Sequence, residues 1–216
     1  EVHWALTSRT MPYKFDTSGL WKRAVDAKIS GRKTKILSTE DSIVYLCTHI
    51  ARHRFSADLR EYHDLLLLTR SRVNWSRVAD LAYENNLKTP VYYALQYTSE
   101  LFKTSVSEEC LNRLKPGIVR TALFKSITGV NINRVFASSE SDAGLLIDLL
   151  LIDLTTYQIR FLVGKIFPPR LWMSIHYKAH ITKTNMAVYY LRRIGYLAAA
   201  TLRYPVLRLK KRFSRS

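Results

Sequence analysis

The chain has 216 residues with 34 Lys+Arg against 17 Asp+Glu, a formal net charge of +17, and is 47% hydrophobic and 12% aromatic. That apolar mass, including 13 Tyr, 8 Phe and 4 Trp, excludes a disordered polyelectrolyte, while only 7 Gly and 6 Pro exclude collagen-like and low-complexity classes. A chain of this length can bury one core, or one domain plus an appendage.

Glu1 to Leu6 alternates weakly and reads as the end of a strand. No basic-then-apolar leader precedes it, and the chain reads as truncated at its N-terminus. Thr7 to Thr17 reads as a loop, and a short helix follows around Leu20, Trp21 and Ala24. Val25–Ile29 and Thr34–Leu37 flank Ser30-Gly31-Arg32-Lys33, the pattern of a β-hairpin. Beyond Ser38 only helices are expected. Ser38 with Asp41 opens the first, to about His53, with Ile43, Leu46, Cys47 and Ile50 on one face. Ser56 is the expected cap of a second and Asn74 of a third, and Thr89-Pro90 reads as a cap with a first-turn proline. Ser107 with Glu108 and Glu109 opens another, closed by Pro116-Gly117, and a helix over Ile118–Ile127 leads to a connection at Gly129–Asn133. Ser141-Asp142 predicts one long helix reaching Gly164. Pro168-Pro169 breaks the chain, and Arg170–Ala179 and Thr184–Arg203 read as two further helices before Pro205 and a basic tail.

Charge is segregated along this order. Asp153 is the last acidic residue, and 13 Lys+Arg follow it unopposed, leaving residues 1–153 with 21 cations against 17 acids, a net of +4. The C-terminal part therefore predicts a local anionic partner. Met186, Tyr189, Tyr190, Ile194 and Leu197 form an apolar stripe flanked by Arg192 and Arg193, and Arg208, Lys210, Lys211 and Arg212 follow. Three uses of this segment stay open: a docked helix with a solvated polar face, an anionic membrane surface, or nucleic acid phosphates. The apolar stretches 144–154 and 186–207 are interrupted by Asp148 and Asp153 and by Arg192, Arg193 and Arg203, so neither predicts a membrane span.

His49 and His53 stand one helical turn apart, with His63-Asp64 on the next helix, a spacing that binds Zn²⁺ or Fe²⁺ or serves interhelical hydrogen bonds. A hydrolytic zinc helix would place Glu directly after the first His, where Ile50 stands, so hydrogen bonding or surface display is favoured. His176 and His180 repeat the spacing without any following carboxylate. Cys47 and Cys110 lie among apolar residues and read as buried, reduced thiols of a cytoplasmic protein. Neither a phosphate-cradling Gly-rich loop nor a Gly-x-Ser-x-Gly elbow occurs. Asp148 and Asp153, five apart, would fall about 140° apart on one helix, which argues against shared chelation and for caps, solvent or partner contacts.

Several landmarks occur in a recognisable order: Glu1-Val2-His3-Trp4, Leu20-Trp21, Leu37-Ser38-Thr39-Glu40-Asp41, Leu46-Cys47-Thr48-His49 with His53, Asp64-Leu65 and Asn74-Trp75. Over roughly residues 1–115 the chain resembles the uncharacterised bacterial nucleotidyltransferase family of the polymerase-β-like superfamily, in the part that follows its catalytic core. Phe167-Pro168-Pro169 and Tyr189-Tyr190-Leu191-Arg192-Arg193 resemble the family's C-terminal end. The resemblance implies a mixed α/β core that binds Mg²⁺ and a nucleoside triphosphate, followed by a helical domain. It also implies a Gly-Ser turn and a carboxylate pair on one strand, and this chain has neither a Gly-Ser pair nor an Asp-x-Asp. By position, Glu1 becomes the candidate third carboxylate, a Mg²⁺ ligand or base for the acceptor hydroxyl.

The expected architecture is mainly α: the end of an α/β core plus hairpin (1–37), a helical domain (38–167) and a basic amphipathic helical appendage with its tail (168–216). The expected function is the substrate-side portion of a nucleotidyltransferase, inactive alone, cytoplasmic or peripheral at a membrane. Its expected partners are the missing catalytic core and, at the basic residues Arg192, Arg193, Arg208, Lys210, Lys211 and Arg212, an anionic acceptor, lipid surface or nucleic acid. The alternative is a non-enzymatic helical adaptor with the same basic end.

Overall fold

The computed structural model describes residues 15–56, 58–128, 144–182 and 184–213, with 200–213 described as backbone only. The expected strand at Glu1–Leu6, the loop after it, the connection at Gly129–Asn133 and the cap at Ser141-Asp142 lie outside the described residues.

Helix α1 (Thr17–Arg23) leads into a two-stranded antiparallel hairpin, β1 (Val25–Ile29) and β2 (Arg32–Ile36), paired Val25 to Ile36 and Ile29 to Arg32. The turn is tighter than the sequence suggested, because Arg32 and Lys33 join the strand. Only Ser30 and Gly31 turn, both with positive φ (50° and 79°), the two-residue geometry that matches strand twist. Helix α2 (Thr39–Arg52) starts as expected: the Ser38 hydroxyl accepts from the Asp41 amide at 3.1 Å and donates to the Asp41 carboxylate at 2.7 Å. Arg23 closes that corner, with its guanidinium held by Asp41 at 2.9 Å and the carboxylate almost wholly buried. The hairpin is thereby fastened to the helical part through the end of α1.

Helix α3 (Leu59–Thr69) is capped by Asp58, which accepts from the Arg60 amide, and not by Ser56, whose hydroxyl instead donates to the His53 carbonyl. The chain between α2 and α3 turns so sharply that Arg54 and Phe55 both take left-handed backbone (φ 53° and 63°), which uses Ser56 up inside the turn. Asn74 caps α4 (Trp75–Glu84) by accepting from Arg77, and Ser107 caps α6 (Glu108–Leu114) by accepting from Cys110. Helix α5 (Lys88–Phe102) begins one residue before Thr89, so Thr89 lies inside the first turn and its hydroxyl serves a distant partner described below. Helix α7 (Ile118–Thr128) follows the Pro116-Gly117 break.

These helices share one core. α5 runs through its middle, packing against α2, α3, α4 and α6, and the buried side chains include Ile43, Cys47, Ile50, Leu65, Val78, Leu81, Leu95 and Leu114. Phe55, held in its left-handed turn, sits edge-on to Tyr93, Tyr97 and Phe124, and Tyr93 stacks on Phe124 with centroids 4.0 Å apart. Such ring pairs add about 0.5–1.5 kcal/mol each beyond their buried area. Both cysteines are free and buried in this core; burial raises the Cys47 thiol well above its ordinary value and pushes Cys110 up to about 11.

The expected long helix from Ser141-Asp142 to Gly164 is two helices, α8 (Gly144–Leu151) and α9 (Thr155–Ile166). The break is stabilised from both sides: the Gln158 amide donates to the Leu149 carbonyl in the last turn of α8 and to the Ile152 carbonyl just beyond it, and Asp153 is drawn away to α5. Helix α10 (Arg170–Tyr177) follows Pro168-Pro169, and α11 (Met186–Phe213) then runs through Pro205 instead of ending before it, losing there one backbone donor. Among the described residues the fold is eleven helices and one hairpin, mainly α with a basic helical C-terminal part.

Candidate functional site

The α2–α3 turn creates the one convergent group of metal-ligating side chains among the described residues, His49, His53 and Glu61, whose ligand atoms all lie within 4.8 Å of one another. A four-residue spacing puts both imidazoles on one side of α2, with ring centroids 4.9 Å apart. Because α3 folds back on α2, its first turn faces the last turn of α2, and Glu61 comes level with the pair: Glu61 Oε1 lies 3.3 Å from His49 Nε2. Sequence reasoning placed the nearby carboxylate at Asp64. That residue, like His63, lies further along α3 and is exposed. The missed signal was the hairpin itself, since residues nearest a tight turn meet across it. Glu61 Oε2 is buried without a hydrogen-bond partner among the described residues. Burial, reinforced by the neighbouring His49, lowers the pKa of the His53 imidazole, which keeps it neutral and its lone pair free near neutral pH.

The aspartates are committed elsewhere. Arg54 grips Asp148 with two bonds of 2.9 and 3.0 Å, its guanidinium lying where a Cβ on Gly144 would clash at 2.6 Å. Asp153 accepts from the Thr89 amide (3.1 Å), the Thr89 hydroxyl (2.5 Å) and Arg120 (2.9 Å). It thus serves α5 as a cap delivered from 64 residues away. Burial pushes the Asp153 carboxyl up, and the Thr89 bonds and the Arg120 charge pull it part of the way back. The two aspartates therefore do separate structural work, one on α8 and one in the break after it, and not 140° apart on one helix as expected. Asp41 and Asp80 are likewise held by Arg23 and Arg113. Mg²⁺ takes oxygen ligands, several from carboxylates or phosphates. Two imidazoles with one carboxylate do not fit a Mg²⁺–nucleoside triphosphate site, and Asp41, Asp80, Asp148 and Asp153 are each held by an arginine, so no catalytic step is assigned to the described residues.

Glu1 lies outside the described residues, as do the side chains of Arg208, Lys210, Lys211 and Arg212 on α11. Arg192 is exposed, its guanidinium 5.3 Å from the centre of the Tyr177 ring. Arg193 faces the other way. Only 7% exposed, it donates to the Lys165 carbonyl and lies 4.4 Å from the centre of the Trp172 ring, which ties α11 to α9 and α10. The structure thus separates two adjacent arginines into one that holds the fold and one that faces solvent. Met186, Tyr189, Tyr190 and Leu197 are half-buried with Arg193, whereas Ile194 of the expected stripe is exposed. His176 stacks on Trp172, and the His180 carbonyl accepts from Asn185. Among the described residues neither joins a group of three metal-ligating side chains. No described helix is long and apolar enough to cross a membrane.

No curated protein and no solved structure matches the chain. A family model does, over a segment that ends where α5 ends, at a residue with left-handed backbone. Residues 1–103, which include α1–α5, the hairpin and the His49–His53–Glu61 cluster, match the model of a family of uncharacterised nucleotidyltransferases.

Proposed function

We propose that this chain supplies the helical, acceptor-side part of a nucleotidyltransferase, which moves a nucleotidyl group from a nucleoside triphosphate to an acceptor, and that by itself it does not catalyse. The family match over residues 1–103 carries the reading. Inactivity alone follows from the chemistry: nucleotidyl transfer needs charge neutralised at both attacking and leaving oxygens, and the chain has no Gly-Ser pair and no Asp-x-Asp. Glu1 is the proposed single contribution to that metal-holding set, and the remaining acids belong to a catalytic core outside this chain. Fold alone would not establish the activity, which stands or falls on those acids.

The test compares pyrophosphate release, with Mg²⁺ and each nucleoside triphosphate, by this chain and by a longer protein carrying the coding sequence upstream of Glu1. Release by the longer protein alone supports the proposal. Release by this chain overturns its inactivity, and release by neither overturns the enzyme reading.

A second reading, a non-enzymatic adaptor with a polyanion-binding end, draws on one observation. The C-terminal helices expose Leu171 (73%) and Leu191 (69%) together with Ile175, Val188 and Arg192, on a segment without a single acid. On either reading we assign this face to an anionic partner: an acceptor, a lipid surface or nucleic acid. Binding of the chain to anionic vesicles and to RNA should weaken steeply with salt and drop on removal of 205–216. Binding untouched by both changes would refute the assignment.

A further inference from the structure

We propose that His49, His53 and Glu61 form a binding site for a single Zn²⁺ ion that clasps the end of α2 to the start of α3 and leaves one coordination position open to solvent. The inference uses residues that play no part in the nucleotidyl-transfer reading, so either can fail alone.

The donor set is two imidazole nitrogens and one carboxylate oxygen, a combination that suits zinc and neighbouring transition metals and is a poor match for Mg²⁺. Zinc at about 2.0–2.1 Å from tetrahedral ligands requires those ligand atoms to stand about 3.3 Å apart. His49 Nε2 and Glu61 Oε1 already do, at 3.3 Å. The remaining gap, with all three atoms inside 4.8 Å, falls to His53, the exposed member, whose ring can close on the other two without disturbing the core.

Two further observations favour a cation here. Glu61 Oε2 is buried and has no partner among the described residues, an incomplete arrangement for a carboxylate that a bound cation would satisfy. Arg54, next in sequence to His53, is spent on Asp148 and offers Glu61 no hydrogen bond. The turn that imposes this puts two consecutive non-glycine residues, Arg54 and Phe55, into left-handed backbone, a costly arrangement that Tyr62 fixes by donating to the Phe55 carbonyl at 2.8 Å. The cluster is therefore held by a rigid turn on two core helices. Three protein ligands leave the fourth position for water or for an anionic group of another molecule.

The test uses Co²⁺ as a coloured stand-in, added to the chelator-treated full chain, with Zn²⁺ competition and Mg²⁺ as control. The site predicts one Co²⁺ per chain with the visible absorption of a four- or five-coordinate ion, displaced by one equivalent of Zn²⁺ and unaffected by millimolar Mg²⁺. Glu61→Gln and the exposed His53→Ala should each weaken binding about tenfold or more, while H176A/H180A leaves it unchanged. His53 is exposed, so His53→Ala keeps the fold and the comparison valid even if His49→Ala does not. No saturable one-to-one binding, or binding of equal strength in H53A and E61Q, would overturn the site.

Discussion

The helices from α2 to α7 and those from α9 to α11 are built on opposite terms. In the first group nearly every long helix buries several large side chains, and Arg54, Arg77, Arg113 and Arg120 each find an acid, within the group or at Asp148 and Asp153 beside it. In the second, α9 buries no residue completely, α10 buries only Met173, and none of the 13 cations after Asp153 has an acid in its own segment. What holds the second group is of a different kind: Arg193 against a carbonyl and an indole, Phe167 against Tyr190, and Tyr177 against Tyr189. The family segment takes in α2–α5 of the well-packed group and none of the second. The contrast teaches that one part of the chain is specified by its own core, while the other presents apolar and cationic surface that its own described residues do not cover.

The contrast is easiest to break at Phe124, which fills the aromatic centre. Phe124→Ala should cost about 3–5 kcal/mol in urea unfolding, whereas Leu191→Ala, on the exposed face of α11, should stay within about 0.5 kcal/mol. Equal losses would abolish the distinction. Asp41→Ala removes the acceptor shared by Arg23 and Ser38, and since Arg23 is itself partly solvated the cost is about 2–3 kcal/mol by the same measurement. Arg193→Ala should sharpen the boundary: amide exchange across α10 and α11 should accelerate by about tenfold, from the loss of about 1–2 kcal/mol of contacts, with α2–α5 unchanged. Ser107→Ala, which deletes the α6 cap, should cost about 1 kcal/mol.

The smallest effect is electrostatic and has a definite sign. The folded-state pKa of His53 lies below its unfolded value of 6.5, so between the two the unfolded chain binds more protons. Its contribution to stability is therefore complete above about pH 6.5 and declines as pH falls below it. Urea titrations with chelator at pH 7.5 and 5.5 should show that extra acid sensitivity in the wild type and not in His53→Asn. A variant as acid-sensitive as the wild type would contradict it.

What was legible in the sequence was local. Ser38, Asn74 and Ser107 cap helices because a side-chain oxygen two or three residues from an orphan amide is a short-range fact, and Ser30-Gly31 turns the hairpin for an equally local reason. What escaped was every feature made by chain brought from afar. The interruption after Leu151 depends on Thr89 and Arg120 seizing Asp153, and helical periodicity through 144–164 carries no trace of that. Glu61 was missed for the same reason, since its place beside His49 follows from the left-handed turn at Arg54 and Phe55, which such residue types do not announce. Arg192 and Arg193 look alike in sequence, and only packing distinguishes the solvent-facing one from the buried one.

The central proposal is that this chain carries the helical part of a nucleotidyl-transferring protein with no more than one, Glu1, of the acids that do the transfer. Its most direct measurement is pyrophosphate release by the purified chain alone at saturating Mg²⁺ and nucleoside triphosphate. The account predicts release no faster than the buffer blank; steady turnover that vanishes in a variant of any described residue would contradict it.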